Sequence, residues 1–478
     1  MQDYLLFGST GTSSVHFPET LSRTNIAPPS AATDWTYDET FNNAVKIHGP
    51  VVDRCLTFLQ APDGKERGTI EPTEHLFDEI EAVVFKMVVN KHGEAFLASR
   101  YHLRYVQFTL LSRKSVSEDD FSLFRVLGRG GYGVVSGCKR CQSGKLYALK
   151  VLDRKRVKTK KSESLALNER NILASVDSKF VVCLKYAFAT PQMLYLVLDL
   201  MMGGDLRFHL KRRGKFTKKE TKYYICRTIL GLEALHALNV VYRDLKPDNL
   251  LMDDIGRTRI SDLGLAVRVP KNGLTGACGT RGYWAPEMLR RDANGQRLRY
   301  SLSVDWFSLG CVLFEFTYGV SPFRTDTAKR WGGGDLPVEA AIDLAIQEMD
   351  PYFDPNCFDP LTKDLCVQLL GKDGKTRLGA NGAEEIMAHP YFADINWEEV
   401  RYERIPPPSV PRKDLNLASQ KEIGSFDEEA VSSVKNEPPS EDIFKNWDYV
   451  RASSFFEEVV LYLQFQDINV RLYIWDSS

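Results

Sequence analysis

The spacing of apolar residues changes several times along the chain, and each change predicts a different kind of element. Leu76, Phe77, Ile80, Val83, Val84, Met87 and Val88 recur at helical spacing, with Glu79, Glu81 and Lys86 between them. A second apolar set, Phe96, Leu97, Tyr101, Leu103, Val106 and Leu110, follows Gly93. Residues 36–118 therefore read as a small helical module. At Phe121 the pattern shortens: Phe121–Leu127 and Tyr147–Leu152 are apolar, partly alternating, and separated by Gly-rich turns, which predicts strands. Leu165–Leu173 returns to helical spacing, and Tyr195–Leu200 reads as a buried strand. Beyond residue 205 long helical patterns dominate, for example over Lys219–Leu238 and Ser303–Tyr318. A sheet-rich part thus precedes a helix-rich part, and the cleft between two such lobes is a natural ligand site.

The flanks are different. Residues 1–35 are rich in Ser, Thr, Gly and Pro without a period and read as a flexible leader. Pro406-Pro407-Pro408 ends the compact region, a polar stretch runs to about Ser440, and Leu461–Ile474 alternates like a hairpin.

Composition narrows the function. At about 150 residues per domain, 478 residues allow two or three domains. Lys+Arg 62 against Asp+Glu 63 leave a net charge of -1, which argues against nucleic acid as the main partner. No apolar run approaches the ~20 residues of a membrane helix. Met1-Gln2-Asp3-Tyr4 does not open a signal peptide, and Gln2 stands where myristoylation needs glycine. The nine cysteines are scattered and odd in number, which fits a reducing compartment. The expectation is a soluble intracellular protein.

The candidate chemistry begins at Gly128-Arg129-Gly130-Gly131-Tyr132-Gly133-Val134-Val135, between two predicted strands. Glycines let backbone amides approach phosphate oxygens where a Cβ would collide. The following strand argues against a dinucleotide fold, which needs a helix there, while a plain tight hairpin stays open as an alternative. Lys150 lies within an apolar strand, a costly place for an unpaired charge, and Glu169 on the next helix is its candidate partner. Such a pair can aim an ammonium at α- and β-phosphates. In Tyr242-Arg243-Asp244-Leu245-Lys246-Pro247-Asp248-Asn249, Asp244 can accept the proton of a substrate hydroxyl, and Lys246 can neutralise a transferring phosphoryl group. Asn249 can hold Mg²⁺, and Asp262 of Asp262-Leu263-Gly264 is a second oxygen ligand. Ala285-Pro286-Glu287 completes the series. Any one of these motifs arises by chance; the ordered set does not.

Taken together, the motifs over residues 121–392 resemble a eukaryotic Ser/Thr protein kinase of the AGC group, and more closely the G-protein-coupled receptor kinase family. Val126–Gly133, Leu165–Arg170, Leu198–Leu206 and Asp305–Cys311 carry that flavour, as does Asp-Leu-Gly where most kinases have Asp-Phe-Gly. The resemblance implies an α+β, bilobal kinase fold with a β-rich N-lobe, a helical C-lobe and a partial RGS-homology module over 36–118. It also implies a C-terminal tail over 393–450, in which Phe426 covers the nucleotide cleft; residues 451–478 carry no assignment. Catalytic roles fall to Asp244, Lys246, Lys150 and Glu169, and metal binding to Asn249 and Asp262. Nucleotide contacts fall to Leu127, Gly128, Arg129, Gly130, Gly131, Tyr132, Gly133, Val134, Val135 and Lys150, with Asp199, Met201 and Asp205 at the hinge and beyond. Asp305 should brace the catalytic loop, and Glu287 should pair with Arg377. The implied cofactors are ATP and Mg²⁺, and the implied substrate is an activated G-protein-coupled receptor. G-protein subunits are left open as partners. So is peripheral recruitment of a cytoplasmic protein to the plasma membrane. A soluble-protein substrate and a G-protein α-subunit scaffold are the alternatives.

Departures from the family pattern add expectations. Gly276 stands where related kinases carry a phosphorylated Thr, with Thr275 out of register, so activity should not depend on phosphorylation there. Phe444-Lys445-Asn446-Trp447-Asp448-Tyr449 resembles the aromatic tail motif, with Asp448 as a fixed carboxylate in place of a phosphate. Asp248 is a candidate contact for basic residues of a substrate peptide. Met1–Ser30 shows little of the helical period of the family's N-terminal amphipathic segment, and the RGS-like part is shorter than the family's. Cys138 and Cys141 have zinc-ligand spacing but no second pair, and read as a reduced turn. The basic run Arg154–Lys161 reads as a solvated face that could also meet an acidic surface.

Overall fold

In the computed structural model of the chain, the described residues are 78–129, 133–333, 335–411 and 443–459. The chain divides into two compact units, Met1–Ser115 and Val116–Ser478. The leader, Phe426 and the Leu461–Ile474 alternation lie outside the described residues.

Within the first unit, two helices are described, α1 (Asp78–Leu97) and α2 (Arg100–Arg113). Gly93, after which the second apolar set starts, does not separate the two helices, because α1 runs through it. Gly93 is buried inside α1, where the lack of a side chain suits close packing. The break comes instead at Ser99, whose Oγ donates to the Phe96 carbonyl at 2.6 Å and accepts from the His102 amide at 3.3 Å. A hydroxyl that bonds local backbone on both sides favours a helix end over a helix interior.

The second unit opens with a six-stranded antiparallel sheet. Its first strands are β1 (Phe121–Arg129), β2 (Gly133–Arg140) and β3 (Leu146–Asp153). Two helices follow, α3 (Arg154–Thr159) and α4 (Glu163–Ser175), then β4 (Leu184–Ala189) and β5 (Met193–Asp199). One sheet face packs on α4 and the main core. The other carries an aromatic cluster of Phe121, Tyr147, Tyr186, Phe188 and Tyr195. Phe188 stacks on Tyr195 with ring centroids 4.5 Å apart.

Helices dominate the rest: α5 (Leu206–Arg213), α6 (Lys218–Ala237), α7 (Ser303–Tyr318) and α8 (Pro360–Leu369). A capping box starts α6, with Thr217 Oγ1 accepting from the Glu220 amide and Glu220 accepting from the Thr217 amide. From Val304 to Phe316 every residue of α7 is buried, so it forms the spine of the C-lobe core rather than an amphipathic surface helix. Short ribbons decorate this lobe: β6 (Val240–Val241) with β9 (Val267–Arg268), β7 (Leu250–Met252) with β8 (Thr258–Ile260), and β10 (Leu274–Thr275) with β11 (Arg299–Tyr300). They fix the loops between them, and those loops hold the polar residues singled out above. Among the described residues no helix is long and apolar enough to cross a membrane.

The last strand, β12 (Tyr449–Val450), returns to the N-lobe and pairs antiparallel with the outer edge of β4. Residues 452–459 then form a helix, in a segment to which the sequence assigned nothing.

Candidate active site

Between the lobes, β3 presents Lys150 and α4 presents Glu169. Lys150 Nζ lies 2.6 Å from Glu169 Oε1 and 3.8 Å from Asp262 Oδ1. Burial pulls the Lys150 ammonium down, but the two carboxylates outweigh it and hold the pKa above the ordinary lysine value. The three groups line a cavity of about 260 Å³ that also takes in Gly133, Val135 and Gly264. Asp262 itself adopts φ +54°, a left-handed conformation uncommon outside glycine, and its side chain is 58% exposed to the cleft. Such strain persists only where surrounding structure enforces it, and it clusters at working sites.

The opposite wall is the loop between β6 and β7. Asp244 Oδ2 accepts from Lys246 Nζ at 2.8 Å and from Asn249 Nδ2 at 2.9 Å. Thr280 Oγ1, from the activation segment, donates to Asp244 Oδ1 at 2.6 Å and lies 2.7 Å from Lys246 Nζ. Behind the loop stands Asp305 on α7. It accepts the main-chain amides of Tyr242 and Arg243, each at 2.8 Å, and contacts His236 Nε2 at 2.8 Å. Asp305 is fully buried, so this brace is shielded from water and sets the loop's position. Farther off, Glu287 and Arg377 form a two-pronged buried pair at 2.7 and 2.8 Å.

Within the glycine-rich segment the glycines have different reasons. A Cβ on Gly133 would sit 1.7 Å from the Val151 carbonyl oxygen, so that position is forced by sheet packing. A Cβ on Gly128 would meet nothing within 4 Å. Leu127 and Arg129 are exposed, and Val134 and Val135 are half-buried. Gly130, Gly131 and Tyr132 lie outside the described residues.

At the hinge, the carboxylate of Asp199 is turned to other work: it accepts from the Cys183 amide at 3.0 Å and from Arg259 Nη1 at 2.7 Å. Its main-chain amide also donates, to the Cys183 carbonyl at 3.1 Å. Met201 is half-buried, and Asp205 caps α5 by accepting from the Phe208 amide at 2.7 Å. Asp248, the candidate contact for a substrate peptide, has a side chain 48% exposed, and its Oδ2 lies 3.2 Å from Arg207 Nε.

Two hydrogen bonds anchor the activation segment. Arg243 Nε donates to the Leu265 carbonyl at 2.8 Å, and Tyr300 Oη donates to the Gly276 carbonyl at 3.0 Å. At Gly276 φ is +85°, and a Cβ would meet Arg297 Nη1 at 2.6 Å.

Tail contacts reach the same site from behind. Trp447 is fully buried, with Nε1 donating to the Tyr195 carbonyl at 3.1 Å. Arg170, next to Glu169 on α4, donates to the carbonyls of Trp447 at 2.9 Å and Asp448 at 2.7 Å. The tail is therefore docked, but through backbone: Asp448 is exposed, and its carbonyl, not its carboxylate, takes the arginine. Sequence reasoning missed the residues that follow. Glu458 Oε1 accepts from both Tyr147 Oη and Tyr186 Oη at 2.6 Å, and Glu457 bridges Lys145 and Lys185. Their partners lie far away in the chain, and no local pattern announces them.

Comparison with known proteins now decides the family. The protein kinase domain family matches residues 121–392. The chain belongs to the protein kinase family. Its curated relatives by sequence bear receptor-kinase names. Beta-adrenergic receptor kinase 1 of Rattus norvegicus is 42% identical over 393 residues, 80% of this chain and 55% of that protein. The Homo sapiens protein of that name is 40% identical over 393 residues, with the same coverage. G protein-coupled receptor kinase 2 of Caenorhabditis elegans is 40% identical over 374 residues, 77% of this chain and 51% of that protein. The chain thus spans about half the length of the curated relatives it matches. The receptor-kinase likeness read from the motifs is matched by this identity. A protein kinase domain uses ATP, generally with Mg²⁺, and the cleft fits that use. Asn249 is tied through its amide nitrogen, which leaves its oxygen as a ligand, and Asp262 supplies a partly solvated carboxylate. Two hard oxygen donors plus phosphate oxygens suit magnesium.

Proposed function

We propose that this chain transfers the γ-phosphate of ATP to Ser and Thr hydroxyls of proteins, with activated G-protein-coupled receptors as the substrates. The observation that carries the reading is the convergence on one cleft of Asp244, Lys246, Asn249 and Thr280 from below and Lys150, Glu169 and Asp262 from above. Asp244 takes up the proton of the incoming hydroxyl. Its Oδ1 accepts a hydroxyl hydrogen bond from Thr280, the kind of contact that an incoming substrate hydroxyl makes with a base. Lys246 places positive charge beside the oxygen that is phosphorylated, and Lys150, steadied by Glu169, orients the α- and β-phosphates. Asn249 and Asp262 would hold Mg²⁺, which would supply positive charge beside the phosphates. The receptor as substrate is supported by the relatives' names and by Asp-Leu-Gly at 262–264.

Labelled ATP, a Ser/Thr peptide and an agonist-bound receptor, assayed side by side, test the proposal. Transfer should be stimulated by receptor over peptide, and Asp244→Asn should lose about a hundredfold to ten-thousandfold in turnover. Normal turnover by that variant would overturn the assignment of Asp244. Equal use of a soluble peptide would overturn the receptor as substrate.

A further inference from the structure

One ion cluster beside the hydroxyl-receiving wall is not used by that chemistry. Arg207, on α5, sends its guanidinium to three other elements at once. Its Nη1 and Nη2 grip Glu315 of α7, with the Nη2–Oε2 distance at 3.2 Å. Nη2 also meets Tyr283 Oη in the activation segment, and Nε lies 3.2 Å from Asp248 Oδ2 in the catalytic loop. Tyr283 Oη donates in turn to Glu315 Oε2 at 2.6 Å. Glu315 is 2% exposed, whereas the Asp248 side chain is 48% exposed. The cluster is therefore a socket with a buried acidic floor and an acidic rim.

Its position gives it meaning. Asp248 shares its loop with Asp244, and Tyr283 shares its segment with Thr280, whose hydroxyl is bonded to Asp244. A polypeptide that delivers a hydroxyl to Asp244 must pass this rim. Two carboxylates there form the natural receptor for a cationic side chain of a substrate, and a guanidinium is the group that fits a carboxylate two-pronged. Here the chain supplies that guanidinium itself. Burial draws the Arg207 pKa down, but Glu315, Tyr283 and Asp248 lift it above the ordinary arginine value, so the plug is charged at every working pH. Both Glu315 oxygens are taken, and a substrate arginine cannot displace a partner this buried without stranding the carboxylate.

We infer that Arg207 is a specificity-determining residue: an internal plug that fills an acidic socket beside the phosphoacceptor site, so that the enzyme does not select basic residues near its target hydroxyl. The inference rests on the kinase reading above. It predicts that emptying the socket creates a preference for substrate arginine that the native chain lacks.

The test uses the full chain and a set of neutral Ser peptides in which one Arg replaces Ala at each position on either side of the Ser. For the native chain, kcat/KM should differ by less than about twofold between the Arg and Ala versions at every position. Arg207→Ala should gain about tenfold or more for Arg at one position or two adjacent ones, the effect of one charge-assisted contact. The gain should disappear in Arg207→Ala combined with Glu315→Gln. Arg207→Gln keeps the stem and a donor for Glu315 while removing the charge, so it reads the same ratio if the alanine variant does not fold. A native chain that already favours Arg beside the Ser, or Arg207 variants that phosphorylate neutral peptides without any positional gain, would overturn the inference. A native chain that phosphorylates none of the peptides and consumes no ATP would instead sink the kinase reading and the inference with it.

Discussion

Trp447→Ala tests the link between tail and catalytic cleft. The indole is 0% exposed, donates to the Tyr195 carbonyl, and meets Phe444 edge-on with ring centroids 5.5 Å apart. Truncating a buried Trp costs about 3–5 kcal/mol. The segment keeps other holds: Arg451 donates to the Leu184 carbonyl at 2.7 Å, and Glu458 stays between two tyrosines. The loss should therefore loosen residues around 443–450 without unfolding the lobe. Because Arg170 binds the Trp447 and Asp448 carbonyls and adjoins Glu169, the loosening should reach the Lys150–Glu169 pair. If about 1.4 kcal/mol of the lost packing arrives there, kcat/KM falls about tenfold. The melting temperature should drop by about 5 °C or more, scaled for a unit of this size. Differential scanning fluorimetry and steady-state kinetics read the two effects, and a double-mutant cycle with Glu169→Gln reads their coupling. The combined variant should lose less than the sum of the single losses. Native melting of Trp447→Ala, or strictly additive rate losses, would refute the coupling.

Three further outcomes are expected. Asp448→Asn should change stability and rate by no more than about 0.5 kcal/mol, because the exposed carboxylate is not what Arg170 binds; a large fall in kcat would restore the phosphate-substitute idea. Burial raises the Glu457 carboxyl, but Lys145 and Lys185 outweigh it and hold the group below its ordinary 4.5. The folded chain then binds fewer protons than the unfolded one, so this contribution is present above about pH 4.5 and is lost as the pH falls further. Limited proteolysis of the 443–459 segment should show acid-triggered release that Glu457→Gln no longer displays as a pH step. Burial pushes the Cys138 thiol up to about 12, whereas Cys141 is exposed, so alkylation at pH 8 followed by mass mapping should label Cys141 and spare Cys138.

The kinase core was legible because its chemistry is written in short, ordered motifs whose partners lie within a few residues. Asp244, Lys246 and Asn249 share one loop, and Lys150 and Glu169 lie 19 residues apart on a strand and a nearby helix, so the motifs already suggested their pairing. The helices over Lys218–Ala237 and Ser303–Tyr318 followed from uninterrupted apolar patterns. What spacing could not show was which charges cancel which. Asp248 looked free because its partner, Arg207, stands on a separate helix, and Glu315 is hidden in an apolar one. Asp448 looked like a phosphate substitute because sequence reports side chains, whereas the contact is made by its carbonyl. Glu458 and its tyrosines are joined only by the tertiary fold.

The strand at Tyr449–Val450 has a consequence for self-association. It pairs with Tyr186 and Ala187 on the rim of the N-lobe sheet, and the Arg451 amide extends the ladder to the Lys185 carbonyl. An uncovered rim of this kind offers a row of amides and carbonyls to any extended peptide, including another copy of the same molecule. By folding its own C-terminal segment over that row, the polypeptide occupies the place where intermolecular stacking would start. Loss of that segment would bare the rim and open a route to aggregation that is separate from any effect on the cleft.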